Sequence, residues 1–137
     1  MKALSLTQPW AYLVAGGFKT METRSWGTIY RGTIAIHATK GFPASARRFA
    51  LAVLVQSATV AALPRGCVVA TADLVDVRPT TDDVIRAALD ATPQEKLYGD
   101  FSAGRYAWLF ANVRPVANIP ARGMLGLWEW TPEASTQ

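Results

Sequence analysis

The sequence predicts an α+β fold: a small, mixed, mostly antiparallel β-barrel with helices packed outside it. Short apolar segments with strand periodicity recur along the 137 residues, and turn residues and helical segments separate them. The predicted order β-α-β-β-α-β-α-β-β lacks the regular strand–helix alternation of a parallel doubly wound sheet. The length suits one domain, which we assign to residues 1–131, and we expect residues 132–137 to form a frayed tail.

The first predicted elements are a strand and a short helix. Alternation over residues 2–6 predicts the strand, and Thr7 is placed to cap a helix over residues 9–15 that ends at Gly16. The first backbone N–H groups of a helix lack partners within it. We therefore expect an anion or carbonyl site around Gln8, Pro9 and Trp10.

The next predicted elements are two strands and a long helix. Residues 19–26 predict a short polar strand or an extended loop, and the β-branched residues 32–38 predict a core strand. Residues 44–62 are rich in alanine with apolar residues at helical spacing, which predicts one continuous helix, the longest of the chain.

The second half of the chain predicts three strands and one acidic helix. Residues 67–77 give the strongest strand pattern, and residues 82–89 predict a short acidic helix capped by Thr80 or Thr81. Alternating side chains over residues 106–116 and 124–130 predict two further strands, the last of which closes the sheet.

Composition excludes several classes of protein. Hydrophobic residues make up 50% of the chain, which indicates a packed core rather than disorder. Cys67 is the single cysteine and His37 the single histidine, so we expect no disulfide, no metal site and no cofactor. The N-terminus lacks a secretory apolar region, and the longest apolar stretch, residues 49–63, is too short to cross a membrane. We therefore expect a cytoplasmic protein with no membrane association.

Charge is distributed unevenly along the chain. Residues 1–48 contain seven basic residues and one acid, Glu22, whereas residues 73–100 contain seven acids and three basic residues. A polarised molecule with a basic N-terminal part suggests a polyanionic partner, although an unevenly charged solvated surface is an equal alternative.

Polar residues that suit a binding site gather in the first 40 positions. On a strand, Lys19 and Glu22 would face opposite sides, and only a twist or bulge would let them meet. A tryptophan face stacks on a base, and Arg or Lys neutralises its phosphate. Candidate ligand-binding residues are Gln8, Trp10, Lys19, Glu22, Arg24, Trp26, Arg31, His37 and Lys40.

Each candidate also has a structural alternative. Trp10 fits a core aromatic at least as well as a binding residue, and His37 on an apolar strand fits a hydrogen-bonded structural histidine. Glu22 and Arg24 could simply pair with each other.

The N-terminal motifs resemble the ASCH domain family. Residues 5–10 read Ser-Leu-Thr-Gln-Pro-Trp, residues 17–26 match the pattern G-x-K-x-x-E-x-R-x-W, and residues 31–38 read Arg-Gly-Thr-Ile-Ala-Ile-His-Ala. Residues 66–76, 106–108 and 120–128 resemble the middle and closing strands of that family. The resemblance spans nearly the whole chain and implies a PUA-like barrel with a cleft beside the first helix.

The resemblance also implies a choice of functions. Family members are associated with RNA or DNA binding, and some bacterial members are ribonucleases or remove the acetyl group from N4-acetylcytidine. In that amidohydrolase branch a Lys activates a Thr three residues later, and a Glu on a later strand assists. Lys19 matches the Lys, but Glu22 stands in place of the nucleophile, and Asp73 would be the later carboxylate.

Three hypotheses follow from these residues. The first is a module that binds RNA, another single-stranded nucleic acid or a nucleoside in a basic cleft. The second is a small hydrolase, an amidohydrolase or ribonuclease, with Lys19, Glu22 and Asp73 as catalytic residues. The third is an adaptor that binds a protein partner through exposed aromatic residues.

Overall fold

Six strands form one curled sheet, a half-barrel, with helices packed against it in the computed structural model, which describes residues 1–132. The strand order is β2-β5-β4-β3-β1-β6, and every neighbouring pair is antiparallel except β1 and β3. The mixed α+β class and the mostly antiparallel sheet are confirmed. The strands are β1 Lys2–Leu6, β2 Met21–Arg24, β3 Gly32–Ala38, β4 Cys67–Pro79, β5 Tyr106–Pro120 and β6 Leu127–Glu129. The helices are α1 Trp10–Ala15, α2 Ala44–Leu54, α3 Ser57–Ala61, α4 Asp83–Ala91 and α5 Glu95–Tyr98.

The central strands separate two apolar clusters. On β3, Ile34 and Ile36 point into the main core, which also contains Leu4, Val14 of α1 and the fully buried Trp108. The intervening residues of a strand point to the opposite face. There, Ala3, Ala35, Val68, Trp128 and Trp130 form a second cluster under β6. Burial raises the pKa of the Cys67 thiol, which fits an inert thiol in the main core.

The prediction of one continuous helix over residues 44–62 is wrong. The chain forms two helices because Val55 has a positive φ of 66° and ends α2 in the left-handed conformation. The second helix folds back on the first, and Ala50, Val60 and Leu63 pack together as a separate apolar cluster. The alanine-rich pattern shows which residues are helical but not where the axis turns.

The helix starts also differ from their predictions. The α4 helix is capped by Asp82, whose side chain accepts a hydrogen bond from the Val84 N–H, and not by Thr80 or Thr81. The α5 helix was not predicted. It has four residues, too few for a periodic pattern.

The expected anion site at the start of α1 is wrong. The N–H of Trp10 donates to the Thr7 carbonyl at 3.0 Å, and the N–H of Tyr12 donates to the side chain of Gln8 at 2.9 Å. These donors are satisfied within the chain, and Thr7 contributes its backbone rather than a capping side chain.

The β5 strand extends well beyond its neighbour β2. Pairing with β2 covers only residues 106–109, whereas β4 pairs along the length of β5 with several register shifts. Within the described residues, the second edge of residues 111–120 therefore has no neighbouring strand. Pro115 and Pro120 lie on this edge segment.

No helix within residues 1–132 is long and apolar enough to cross a membrane. The predicted tail falls largely on residues 133–137, which lie outside the described residues.

Candidate functional site

Two neighbouring cavities share part of their lining. The larger has a volume of about 1100 Å³ and lies between the ends of β1 and β3 and residues 120–126, which connect β5 to β6. The smaller, of about 510 Å³, lies between β2, α2 and residues 97–100. Ser5, Thr7 and Arg24 line both cavities, so the two form one continuous cleft with Arg24 at the junction.

The larger cavity has a cationic lining. Arg24, Lys40 and Arg122 are its charged side chains, and no Asp or Glu of the part of the chain that the structure describes lines it. Its rim carries two exposed apolar side chains, Met124 and Leu125, the latter 98% exposed. The lining therefore suits an anionic ligand that also has an apolar surface.

A hydrogen-bonded chain beneath the larger cavity fixes His37. The Trp128 indole N–H donates to Ser5 Oγ at 3.1 Å, and Ser5 Oγ lies 3.0 Å from His37 Nδ1. The other ring nitrogen, Nε2, lies 2.8 Å from the carbonyl oxygen of Ala121, which accepts only if Nε2 carries the proton. His37 is therefore a buried, hydrogen-bonded residue that links β3 to residues 120–126, as its structural alternative predicted.

Gly123 packs directly on this histidine. A Cβ atom at Gly123 would lie 2.6 Å from His37 Cε1 and 2.8 Å from Ser5 Oγ. Such distances are shorter than van der Waals contact, so only glycine lets this part of the β5–β6 connection lie against the floor of the cavity.

The smaller cavity combines aromatic rings with acids and bases. Trp10 and Phe49 are stacked with centroids 5.3 Å apart and an interplanar angle of 10°. Glu22 and Asp100 line the same cavity as Arg24 and Arg105. Aromatic faces beside hydrogen-bonding charged groups are the pattern of a pocket for a planar, polar ring system.

Lys19, Glu22 and Arg24 converge beside this cavity. Lys19 Nζ lies 3.5 Å from Glu22 Oε1, and Arg24 Nη2 lies 3.3 Å from Glu22 Oε2. Lys19 precedes β2, so the alternation of side chains along a strand does not apply to it, and its ammonium can reach Glu22. Glu22 and Arg24 face the cleft, whereas Lys19 is fully buried and does not line it.

Burial dominates the electrostatics of Lys19. Loss of solvation lowers its pKa from the ordinary 10.5, and the nearby charge of Arg24 lowers it further, whereas Glu22 and then Glu95 act in the opposite direction. The ammonium also donates to the Tyr98 carbonyl at 2.8 Å. Lys19 thus connects Glu22 to the residue 97–100 wall of the smaller cavity.

Glu95 is a buried acid that the sequence did not single out. Its carboxylate accepts hydrogen bonds from the Thr20 N–H at 3.0 Å and from the Thr20 hydroxyl at 3.1 Å. On the same wall, the N–H of Asp100 donates to the Thr23 hydroxyl at 3.1 Å. These contacts join α5 to β2. They connect residues more than 70 positions apart, a separation that local spacing does not encode.

Besides Lys19, four candidate residues do not line the cleft. Gln8 is fully buried, and its amide donates to the Pro64 carbonyl while accepting from the Tyr12 N–H. Trp26 packs edge-on against Trp108, 4.8 Å between centroids. Neither residue lines either cavity.

The other two candidates, Arg31 and Asp73, form ion pairs outside the cleft. Arg31 pairs with Asp76 at 3.4 Å, and Asp73 pairs with Arg114 at 3.7 Å and accepts from Asn112. Neither Arg31 nor Asp73 lines either cavity. Asp73 is therefore not placed to assist Lys19, and Glu95 is the additional carboxylate near that lysine.

The described residues contain no group of three or more His, Cys, Asp or Glu side chains arranged to hold a metal ion. Of the candidate residues, Trp10, Glu22, Arg24, His37 and Lys40 line the cleft. Arg122 and the aromatic partner Phe49 are additional residues that sequence reasoning missed.

Comparisons with known proteins agree on one family. A sequence model of the family described as "ASCH domain" matches residues 4–120. No curated protein matches this chain significantly. Among solved structures, an ASCH protein from Zymomonas mobilis is similar with a TM-score of 0.54 and 17% identity, covering 87% of this chain and 72% of that chain.

Two variants of the same Zymomonas mobilis protein are also similar. A Tyr-to-Phe variant gives a TM-score of 0.53 at 17% identity, covering 87% of this chain and 74% of that chain. A Ser-to-Ala variant gives 0.53 at 18% identity, covering 87% and 72%. At these identities the likeness concerns the fold.

Proposed function

The chain belongs to the ASCH domain family, and from this premise we propose that it binds a nucleotide or single-stranded RNA in the cleft between its two cavities. The observation that carries the proposal is the lining of the larger cavity, which contains Arg24, Lys40 and Arg122 and, among residues 1–132, no acid. Arg24 is paired with Glu22 of the smaller cavity, whereas Lys40 and Arg122 form no ion pair within those residues. Such cations attract a polyanion, and phosphate contacts dominate the affinity of proteins for nucleic acids.

The smaller cavity supports the same proposal. A base stacks on an aromatic face, which Trp10 and Phe49 supply, and the Glu22 carboxylate accepts hydrogen bonds from an exocyclic amine. The phosphate and base contacts thus come from different halves of the cleft. We also propose that the half-barrel corresponds to the PUA-like barrel that the family resemblance implies, and that the protein acts in the cytoplasm.

The test is the salt dependence of binding to a short single-stranded RNA. We expect Arg122→Gln to weaken binding and to reduce the slope of log affinity against log salt by about 0.7, the value for one phosphate contact on a single strand. The matched control is Arg114→Gln, which also removes one positive charge but lies outside both cavities. Equal effects of the two substitutions, or no binding of RNA or DNA at low salt, would overturn the proposal.

Hydrolysis is a second candidate, favoured by the ion pair of Glu22 with a lysine whose pKa is lowered. The Thr20 hydroxyl donates to Glu95 and the Thr23 hydroxyl accepts from the Asp100 N–H, and within the described residues neither hydroxyl is hydrogen-bonded to Lys19. Glu22 would instead act as a general base on water, with Arg24 stabilising negative charge.

Acetylcytidine is the direct probe for this second candidate. The wild type would release cytidine and acetate, and Glu22→Gln would abolish turnover because a neutral amide is a poor base. Turnover that is absent, or equal in the two proteins, leaves binding as the function. Capture of a protein partner that survives nuclease treatment, without RNA affinity, would favour the adaptor hypothesis instead.

A further inference from the structure

The two cavities differ in chemistry but share one boundary. The larger has cations and an exposed apolar rim, the smaller has aromatic rings and carboxylates, and Arg24 lines both. A mononucleotide has one base and so needs one surface for stacking. This cleft offers two such surfaces, on either side of one guanidinium.

Arg24 is held in place while part of its guanidinium stays available. Its Nη2 donates to the Ser5 carbonyl and pairs with Glu22, which fixes the side chain between the cavities. Within residues 1–132, its hydrogen bonds all use Nη2, and Nε is buried without a partner. Nη1 has no hydrogen bond within residues 1–132 and is not among the buried unpartnered atoms, so a phosphate at this position could accept a hydrogen bond from it.

The apolar rim of the larger cavity offers a surface for a second base. Leu125 is 98% exposed and Met124 62% exposed, on a connection that Gly123 holds against His37. Gly126 ends this segment with a positive φ of 68°. The contact of Gly123 with His37 thus fixes the backbone beside Met124 and Leu125. Their exposed side chains offer an apolar surface on which a base ring can lie.

We propose that the cleft takes two consecutive nucleotides of one strand, with their linking phosphate on Arg24. One base stacks beside Trp10 and Phe49 in the smaller cavity, and the other lies against Met124 and Leu125 in the larger. Lys40 and Arg122 neutralise the next phosphate along the strand. This inference rests on the proposed function and specifies its ligand as a dinucleotide unit rather than a nucleoside.

The experiment compares a mononucleotide, a dinucleotide and a trinucleotide, each carrying a terminal phosphate and each as an equimolar mixture of the four bases, by isothermal titration calorimetry. The terminal phosphate of the dinucleotide supplies the partner for Lys40 and Arg122. We expect the dinucleotide mixture to bind about tenfold or more tightly than the mononucleotide mixture, because a second base stacks. We expect the trinucleotide to add much less, since a third base lies outside both cavities. Equal affinities for mononucleotide and dinucleotide would overturn the inference.

Leu125→Ser tests the second base surface directly. It should reduce dinucleotide affinity towards that of the mononucleotide. Its matched control is Ile29→Ser, which removes an equally exposed apolar residue outside both cavities. Dinucleotide affinity unchanged by Leu125→Ser, or reduced equally by both substitutions, would contradict the placement of the second base.

Backbone amide shifts in NMR titrations distinguish failure of this inference from failure of the proposed function. The dinucleotide should shift the amides of Phe49 and Gly123 together, one in each half of the cleft. If every nucleotide shifts only one of the two amides, the function stands and the two-nucleotide site is wrong. If no nucleotide or RNA oligomer shifts either amide, both proposals fail.

Discussion

Among single residues, Lys19 has the environment least suited to its charge. It is fully buried, and loss of solvation is the largest of the effects that lower its pKa. The sequence singled out Lys19 and Glu22 as a pair, but not the burial that governs the lysine. That burial comes from α5, which reaches Lys19 through the Tyr98 carbonyl from 79 positions away.

We expect Lys19 to titrate below 10.5, as measured by NMR of its side-chain nitrogen. Between the lowered pKa and 10.5, the unfolded chain holds a proton on Lys19 that the folded chain has released. The free energy of unfolding should therefore increase as pH rises through this window. Lys19→Met should remove this pH dependence, and titration at or above 10.5 would contradict the expectation.

Two neutral variants separate the influence of the neighbouring acids. Glu22→Gln and Glu95→Gln should each lower the pKa of Lys19 further, because both carboxylates favour its charged form. The larger decrease is expected for Glu22→Gln, whose carboxylate lies 3.5 Å from the ammonium and also bonds to it. The measurement is again the side-chain titration, and a pKa of Lys19 that is unchanged or raised in either variant would contradict this coupling.

Gly123→Ala should destabilise the folded protein and displace the β5–β6 connection from His37. The added methyl group would overlap the imidazole ring and Ser5 Oγ, and overpacking of this kind costs about 1–3 kcal/mol. Chemical denaturation gives the free energy, and the His37 ring signals report the lost contact. The control is Gly41→Ala, where a Cβ meets nothing within 4 Å. Equal stability of the two variants would contradict the proposed close packing.

At the level of elements, apolar periodicity was a sound guide to strands and a poor guide to helix ends. Strands β1 and β3 match the predicted residues because alternation directly reflects the two faces of a sheet. The α2–α3 break was missed because apolar residues continue at helical spacing and no glycine or proline lies between the two helices. The direction change depends on one left-handed residue, Val55, whose side chain gives no local signal for it.

Val55→Asn should stabilise the protein by about 1 kcal/mol, since the left-handed conformation costs a β-branched residue more than it costs asparagine. Val55 is 80% exposed, so little apolar burial is lost. Denaturant unfolding measures the change, and Val75→Asn, at another exposed valine without a positive φ, is the control. A destabilised Val55→Asn variant would show that the α2–α3 turn does not strain Val55.

For the molecule as a whole, the sequence predicted the class of the fold and one half of the cleft. The early motifs contain Glu22 and Arg24, which lie within three residues and so meet through local geometry. The other half depends on contacts of His37 with Ser5 and with Ala121. Only the folded sheet brings Ala121 close to Ser5 and His37. The charge asymmetry indicated a polyanionic ligand, but the cation Arg122 was outside the basic N-terminal part.

Pro115 should keep separate molecules from pairing along the edge of β5 that no other strand within residues 1–132 covers. A free strand edge is a template for another chain, and proline blunts it because proline has no N–H to donate. We expect Pro115→Thr to promote self-association, measured by sedimentation at increasing protein concentration, whereas the wild type does not self-associate through this edge. Identical sedimentation of the two proteins would mean that Pro115 does not protect the edge.

The hydrogen bond from Trp128 to Ser5 gives the cleft its own spectroscopic reporter. Trp10 stands at the smaller cavity, and Trp128 lies one hydrogen bond below the larger. If the tryptophans are replaced biosynthetically by 5-fluorotryptophan, each half of the cleft carries a fluorine nucleus whose resonance responds to its surroundings. Ligand binding in each half of the cleft can then be followed separately in a single titration with an unlabelled ligand.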